Sequence, residues 1–422
     1  MRAYLAAFAL ILFSPGLYSQ DVRPKDVREI AKNGAAAIPK LQALLSNPDK
    51  EVRREAVKQI VQIGTQNSLD PLIQATRDAD PEVQILAANG LVNFYFPGYV
   101  QSGLAGSLKR AGAGIKGLFT DTNDQAVDSY VKARPEVVQA IARLIAGGGT
   151  AEARANAARG VGVLRGAAAV QDLVEAAHAR NSDVIYESLI ALQKIRDEAA
   201  GPRVEFRLHD LDSKVQIAAI ETVGLLRDMG ALPELTDALR RARDIKVKRA
   251  ALTSIAMLPD PASRPLYAQY LGDKDEQLRG AAAEGFGRLR DPNDLAAIEK
   301  AWQDEGKTSP RLSLAFAQVM LGRTELSEFS PLQFLIGNLN SAAYSGDALP
   351  FLVELARDEG VRQALYGPLS TGTKDEKIGL ARVLARSGDS ESVAPLQKLS
   401  ADSDPAVAQE GLRALRTLQA RM

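Results

Sequence analysis

The sequence predicts an all-α fold, a right-handed superhelical α-solenoid of about eleven antiparallel helix pairs. Three observations lead there. An aspartate, two variable residues and a Val or Leu recur six times, at Asp49–Val52, Asp80–Val83, Asp212–Val215, Asp244–Val247, Asp275–Leu278 and Asp404–Val407. Thr150–Ala153 and Asn181–Val184 fall on the same grid, so that anchors 49, 80, 150, 181, 212, 244 and 275 differ by 31, 70, 31, 31, 32 and 31. Beyond each Val, apolar or small residues recur at +4, +8 and +11, as in Val52, Ala56, Ile60 and Ile63 or Val215, Ala219, Val223 and Leu226. That spacing draws one stripe along an α-helix.

The chain opens with Met1-Arg2 and an apolar run from Ala3 to Phe13, broken by Ser14-Pro15-Gly16 and followed by the small Ser19. This reads as a secretory signal peptide over residues 1–19, which would place the mature chain in the periplasm or outside the cell. Retention as an anchor is the alternative, although the run is short of the roughly 20 residues that span a bilayer. There is no Cys, so neither a disulfide framework nor lipid attachment at Cys is available. Lys+Arg and Asp+Glu are both 52, which leaves no net field toward nucleic acid or an anionic membrane.

Residues 22–33 read as a capping helix, and the first two helix pairs complete a unit over 22–95. The 70-residue step then exposes an inserted segment, 96–133, rich in glycine and aromatic residues. Six further pairs occupy 134–322. The last three, within 323–422, are less regular, because Ser330-Pro331 and Leu349-Pro350 reset the frame. In each pair a shorter helix A, such as the run from Ile38 to Leu45 or from Leu232 to Leu239, precedes a tight turn and a longer helix B. The anchor Asp stands where helix B needs an N-cap, with Pro following in Asp80-Pro81 and Asp404-Pro405. The +4 column reads Ala, Ala, Ala, Ser, Ala, Ala, Ala, Gly, small enough for a neighbouring helix to approach closely. The repeated Asp is therefore an architectural signal before it is a chemical one.

The run Asp49-Lys50-Glu51-Val52-Arg53-Arg54-Glu55-Ala56 carries the pattern most fully. The basic residue after the Val returns as Arg154, Lys248 and Arg279 and gives way to Gln84, Ile185 and Gln216. On these residues the chain, over 35–421, resembles HEAT-repeat (armadillo-like) solenoids, of the short bacterial type similar to phycobilisome-lyase HEAT-like repeats. The resemblance implies that the B helices line a concave side and that the protein docks other proteins, although such repeats serve many unrelated roles. Some HEAT-repeat relatives are di-iron hydroxylases with repeated His-Glu pairs. Here His178 is followed by Ala179 and His209 by Asp210, so that activity does not carry over. Bilin lyases, a second enzymatic relative, work on cytoplasmic pigment proteins, at odds with an exported chain.

The residues offer little chemistry. His178 and His209 are 31 apart and fill equivalent slots, about 10 Å from one another by ordinary helix packing, too far to share a metal. No metal or other cofactor is expected. Gly147-Gly148-Gly149 has no preceding strand to make a phosphate loop, and the basic run from Arg240 to Arg249 reads as a solvated turn. Docking candidates come from two places. Positions +2 and +6 of the B helices bring Tyr186, Ile190, Ile217 and Glu221 together as an apolar patch flanked by charge. In the insert, Leu104, Leu108, Ile115 and Phe119 mark an amphipathic element. The expectation is an exported scaffold that docks a protein or peptide along its concave face and binds no nucleic acid. A lyase- or hydroxylase-related enzyme, or a membrane-surface adaptor acting through 96–133, are the alternatives.

Overall fold

A computed structural model describes residues 22–100 and 125–422. The signal-peptide reading of 1–19 and the insert residues Leu104, Leu108, Ile115 and Phe119 lie outside the described residues. All regular structure within them is helical, and none of their helices is long and apolar enough to cross a membrane.

The anchors start helices as their chemistry dictates. Asp80 Oδ1 accepts from the amides of Glu82 and Val83 at 3.0 and 3.2 Å, and Asp275 and Asp404 hold the same two amides of their own helices. Asp49, Asp212 and Asp244 each take the amide two residues on. The substitutes work likewise, Thr150 Oγ1 accepting from Ala153 and Asn181 Oδ1 from Asp183 and Val184. Each satisfies amides that the first helical turn leaves unpaired.

These caps launch the long second helices of the pairs: Lys50–Ile63, Pro81–Tyr95, Ala151–Val163, Ser182–Ile195, Ser213–Leu225, Ile245–Ala256 and Glu276–Leu289, and Thr308–Met320 follows them without a side-chain cap. Ser345–Leu355, Lys374–Ser387 and Pro405–Gln419 continue the row, so the described residues carry eleven pairs. Every second helix packs on the next, including Pro81–Tyr95 on Ala151–Val163 across the insert. Pro24–Ala31 covers the open end at Lys50–Ile63. Pair five departs from the plan. Its first member is reduced to the 3-10 turns Glu198–Ala200 and Glu205–Arg207, because Gly201-Pro202 interrupts the run.

The small +4 column is the seam between helices. Ala56, Ala87, Ala157, Ala219, Ala251 and Ala282 are all fully buried. Ser188, also buried, returns its hydroxyl to the Val184 carbonyl at 2.8 Å and so adds no unpaired group. At Gly411 a Cβ would stand 2.8 Å from the Ser400 backbone nitrogen, so no larger residue fits. The core runs as two contiguous clusters, Val27 to Leu321 and Leu312 to Leu418. They change over inside Thr308–Met320, where Leu314 and Ala317 serve the first cluster and Leu312, Ala315, Phe316 and Val319 the second.

The caps also set a pH dependence. The Arg249 guanidinium, with the amides of Leu278 and Gln277, holds the Asp275 carboxyl below its usual range against the opposing pull of burial. At Asp80 burial pushes upward, but the amides of Val83 and Glu82 and the Arg54 guanidinium outweigh it. A carboxylate depressed on folding stabilises the fold above its unfolded pKa of about 4, and that contribution is lost as pH falls through the lower folded value. Urea midpoints are therefore expected to drop as pH falls from about 5 to about 3, and to drop less in Asp80→Asn and Asp275→Asn variants.

Candidate functional site

Side chains that leave the core stripe are largely engaged between repeats. The +1 residue of helix B donates to carbonyls at the end of its own helix A. Arg53 Nη1 reaches the Asn47 and Pro48 carbonyls at 2.9 and 3.1 Å, Arg154 Nε that of Ile145, and Arg279 Nη1 those of Asp273 and Lys274. Gln84 and Gln216 do the same to Asp78 and Leu208. The exchange of Arg for Gln at this position keeps the donor and drops the charge. Ile185 has no donor, and the carbonyls it leaves, Ala177 and Ala179, are taken by Arg207 from the next repeat at 2.8 and 3.1 Å. Arginines also reach forward: Arg53 and Arg279 at +1 fork onto Asp78 and Glu305, and Arg249 at +2 onto Asp275. Replacing Arg279 by Ala is expected to lower unfolding free energy by about 1–3 kcal/mol, with Gln recovering part of it, as read by urea denaturation.

One network is deeper. Arg288 forks onto Glu354 with Nε and Nη2 at 3.0 and 2.9 Å, and its Nη1 donates to Glu284 at 3.0 Å. Ser313 donates its hydroxyl to Glu284 at 3.0 Å, and the Arg288 guanidinium lies 4.8 Å from the Phe316 ring centre. Burial pushes the Glu284 carboxyl up, and Arg288 and Ser313 pull it back. The group joins pairs seven, eight and nine, and its members belong to the changeover between the two cores.

The docking patch of Tyr186, Ile190, Ile217 and Glu221 is less open than its sequence positions imply. Ile190 is 3% exposed, and Tyr186 and Ile217 are half-buried against the core. Tight stacking of the second helices closes over +6 as well as over the core stripe, which corrects the expectation of an exposed apolar cluster. Lys214 covers Tyr186, its Nζ 3.8 Å from the ring centre. Glu221 is the polar member that remains, and burial pushes its carboxyl up.

The two histidines have unlike surroundings despite their equivalent slots. His178 stacks on Phe206 with ring centres 4.1 Å apart, whereas His209 Nε2 meets Glu234 Oε2 at 2.9 Å. No group of three or more metal-binding side chains occurs among the described residues.

The described flanks of the insert fold back on the solenoid. Asn93 Oδ1 accepts from the amides of Gly98 and Val100, and Val127 is buried with its amide on the Val163 carbonyl at 2.9 Å. That bond sets Asp128 beside the end of pair three. Arg413, on the last helix, then forks onto Asp128 at 2.6 and 2.8 Å, closing a separation of 285 residues. This contact was not foreseen from sequence: nothing in a period of 31 says how far along the stack the chain curls back.

The geometry agrees with the comparisons. The family model for HEAT repeats matches residues 18–108 and 232–317. No curated protein matches the sequence. Among solved structures, the chain is similar to an engineered protein at 18% identity, covering 90% of this chain and 98% of that one, with a TM-score of 0.34. It is similar to the CpcE–CpcF complex of phycocyanin lyase from Nostoc sp. PCC7120 at 16% identity, covering 76% and 95%, with a TM-score of 0.32. Kap95p in its complex with RanGDP is similar at 14% identity, covering 96% of this chain and 60% of that one, with a TM-score of 0.46. At these scores the likenesses decide nothing about function. The matched repeats lie on the capped helix pairs of the 31-residue grid, and the fold they build is that of a HEAT-like α-solenoid.

Proposed function

We propose that the chain is an exported scaffold that docks a protein or peptide along the face formed by its second helices, the concave side expected of such solenoids. The observation that carries this reading is the unbroken row of second helices from Lys50 to Gln419, each packed on its neighbour, with forked ion pairs from Arg53, Arg249 and Arg279 reaching into the following repeat. Such a row is a long, pre-organised surface, and rigid surfaces bind extended partners at low ordering cost. The apolar run Ala3 to Phe13 supports export. Tyr186, Ile217 and Glu221 supply the mixed apolar and acidic contacts of one docking zone.

Photo-crosslinking residues placed at Tyr186 and Lys58 on second helices, and at Lys40 and Arg240 on first helices, test the reading in the native envelope. The expected result is one discrete adduct from the second-helix positions and none from the first-helix positions. Equal capture from both faces would overturn it.

A further inference from the structure

Arg165, Arg196 and Arg227 end the second helices of pairs three, four and five, 31 residues apart, and all three hold positive φ, at 50°, 66° and 57°. The left-handed region favours glycine, which pair one uses at the equivalent Gly64, φ 59°. Arginine in three successive repeats gains no backbone advantage there. A cation at a helix C-terminus has an electrostatic rationale. Yet these side chains do not fold onto their own helix ends: Arg196 Nη1 reaches only the Leu225 carbonyl of the next helix, at 3.4 Å, and Arg165 and Arg227 make no ion pair among the described residues. All three are exposed.

The far end of the solenoid brings more of the same charge to this place. Arg357 presses on Arg196, and Arg165 on Arg386, which also feels Arg382 and Arg413. Arg421 sits within reach of Arg357 and donates to the carbonyl of Gly388 at 2.6 Å. Eight arginines thus gather here, and among the described residues only Arg413 and Arg382 of them hold ion pairs, with Asp128 and Glu410. In a chain with no net charge this is a strong local excess, and it forms where the Asp128–Arg413 pair joins pair three to pair eleven. Burial and like charge push Arg196 and Arg386 down although both are exposed, as expected of side chains that protein surrounds without covering.

We propose that this meeting point of pairs three to five with pairs nine to eleven is a docking site for an extended acidic segment of a partner protein, its carboxylates paired with Arg165, Arg196 and Arg227. The inference rests on the scaffold reading and gives it a ligand chemistry. Stacked repeats set the three guanidinium groups about 10 Å apart. One phosphate cannot bridge that distance. An extended chain in the polyproline II conformation has three residues per turn and rises about 3.1 Å per residue, so an acid at every third position returns to one face about 9 Å further on and meets each arginine in turn. Arginine forks onto carboxylates in a fixed plane, which rewards that register.

Fluorescence anisotropy on the purified full chain tests the site with three labelled peptides. One carries Asp at every third position in a Gly/Ser background, one carries the same number of Asp in a single block, and one replaces Asp by Lys. The protein variant is Arg165→Gly/Arg196→Gly/Arg227→Gly. Glycine suits the positive φ, so its melting temperature is expected to equal or exceed that of the parent. The spaced acidic peptide is expected to bind the parent at least about tenfold more tightly than the block peptide, with affinity falling as salt rises, and to lose at least about tenfold in the variant. Failure of any acidic peptide to bind the parent, or unchanged binding in the variant, would overturn the site while leaving crosslinking at Tyr186 untouched. Equal affinity for spaced and block peptides, with displacement by inorganic pyrophosphate, would overturn it in favour of a small-anion site.

Discussion

Replacing Arg288 by Met is expected to cost about 3–5 kcal/mol of unfolding free energy near neutral pH, the largest loss from a single side chain of this kind in the molecule. Met fills the space of the arginine stem but leaves Glu284 with only the Ser313 hydroxyl, and Glu354 without its fork. A buried carboxylate without its cation must lose its proton-free form or destabilise the fold. The pH dependence of the deficit has a definite sign. Burial already pushes Glu284 up in the parent, and Arg288 restrains it. Without the arginine the folded pKa rises further above the unfolded value of about 4.3, so the variant binds a proton in the folded state that the unfolded chain releases. Its deficit is full at high pH and shrinks as pH falls through the raised folded value. Urea denaturation of parent and variant at about pH 8 and pH 5 reads this directly, and a deficit that grows on acidification would refute the assignment. A companion Glu284→Gln in the Arg288→Met background should recover much of the loss at pH 8, because it removes the stranded charge.

Gly285→Ala is the second large effect. A Cβ built at Gly285 would stand 2.5 Å from Cζ and 2.7 Å from Cδ1 of Tyr267. Tyr267 is fully buried, its hydroxyl donates to the Ile255 carbonyl at 3.1 Å, and its ring packs edge-on to Phe286. A flat ring held at both ends has nowhere to move, so the added methyl forces the helices of pair seven apart. Helix propensity favours Ala over Gly by about 1 kcal/mol, and overpacking opposes it by more. The net expectation is a loss of about 2–3 kcal/mol. The control is Gly147→Ala at the end of Pro135–Gly147, where a Cβ meets nothing within 4 Å. That variant should be unchanged or slightly more stable, and both are read as urea midpoints. A Gly285→Ala protein as stable as the parent would mean that the ring is not wedged.

Much of this fold was legible because it is periodic. An Asp whose oxygen must cap two amides, a Val that must enter the core and an Ala that must let a neighbour close in recur at fixed offsets, and each constraint is local. The +1 position shows the limit of reading by letter. Arg53, Gln84 and Gln216 look like drift, yet all three donate to the end of helix A, and Ile185 is excused because Arg207 supplies the bond from the next repeat. Ile190 is buried for a related reason. A helical wheel separates core from surface within one pair, whereas burial at +6 depends on how closely the next pair stacks. The Asp128–Arg413 contact was beyond sequence reasoning altogether, since it depends on curvature summed over eight repeats. The arginine ladder 165, 196, 227 was visible on the grid. What it lacked was the far end of the chain, which supplies the rest of its charge.

The division of the core within Thr308–Met320 bears on how the molecule is built up in time. Helices that serve two cores on two faces are seams between cooperative units. The described residues up to Leu321 close an apolar cluster of their own, to which the C-terminal repeats add the Arg288–Glu354 and Asp128–Arg413 ties, so a chain that acquires structure from its N-terminal side has a packed platform when pair nine arrives. The last hundred residues are then laid down on an existing surface, and the arginines they carry reach their counterparts only at the final step. Assembly order and completion of the charged meeting point are thereby the same event.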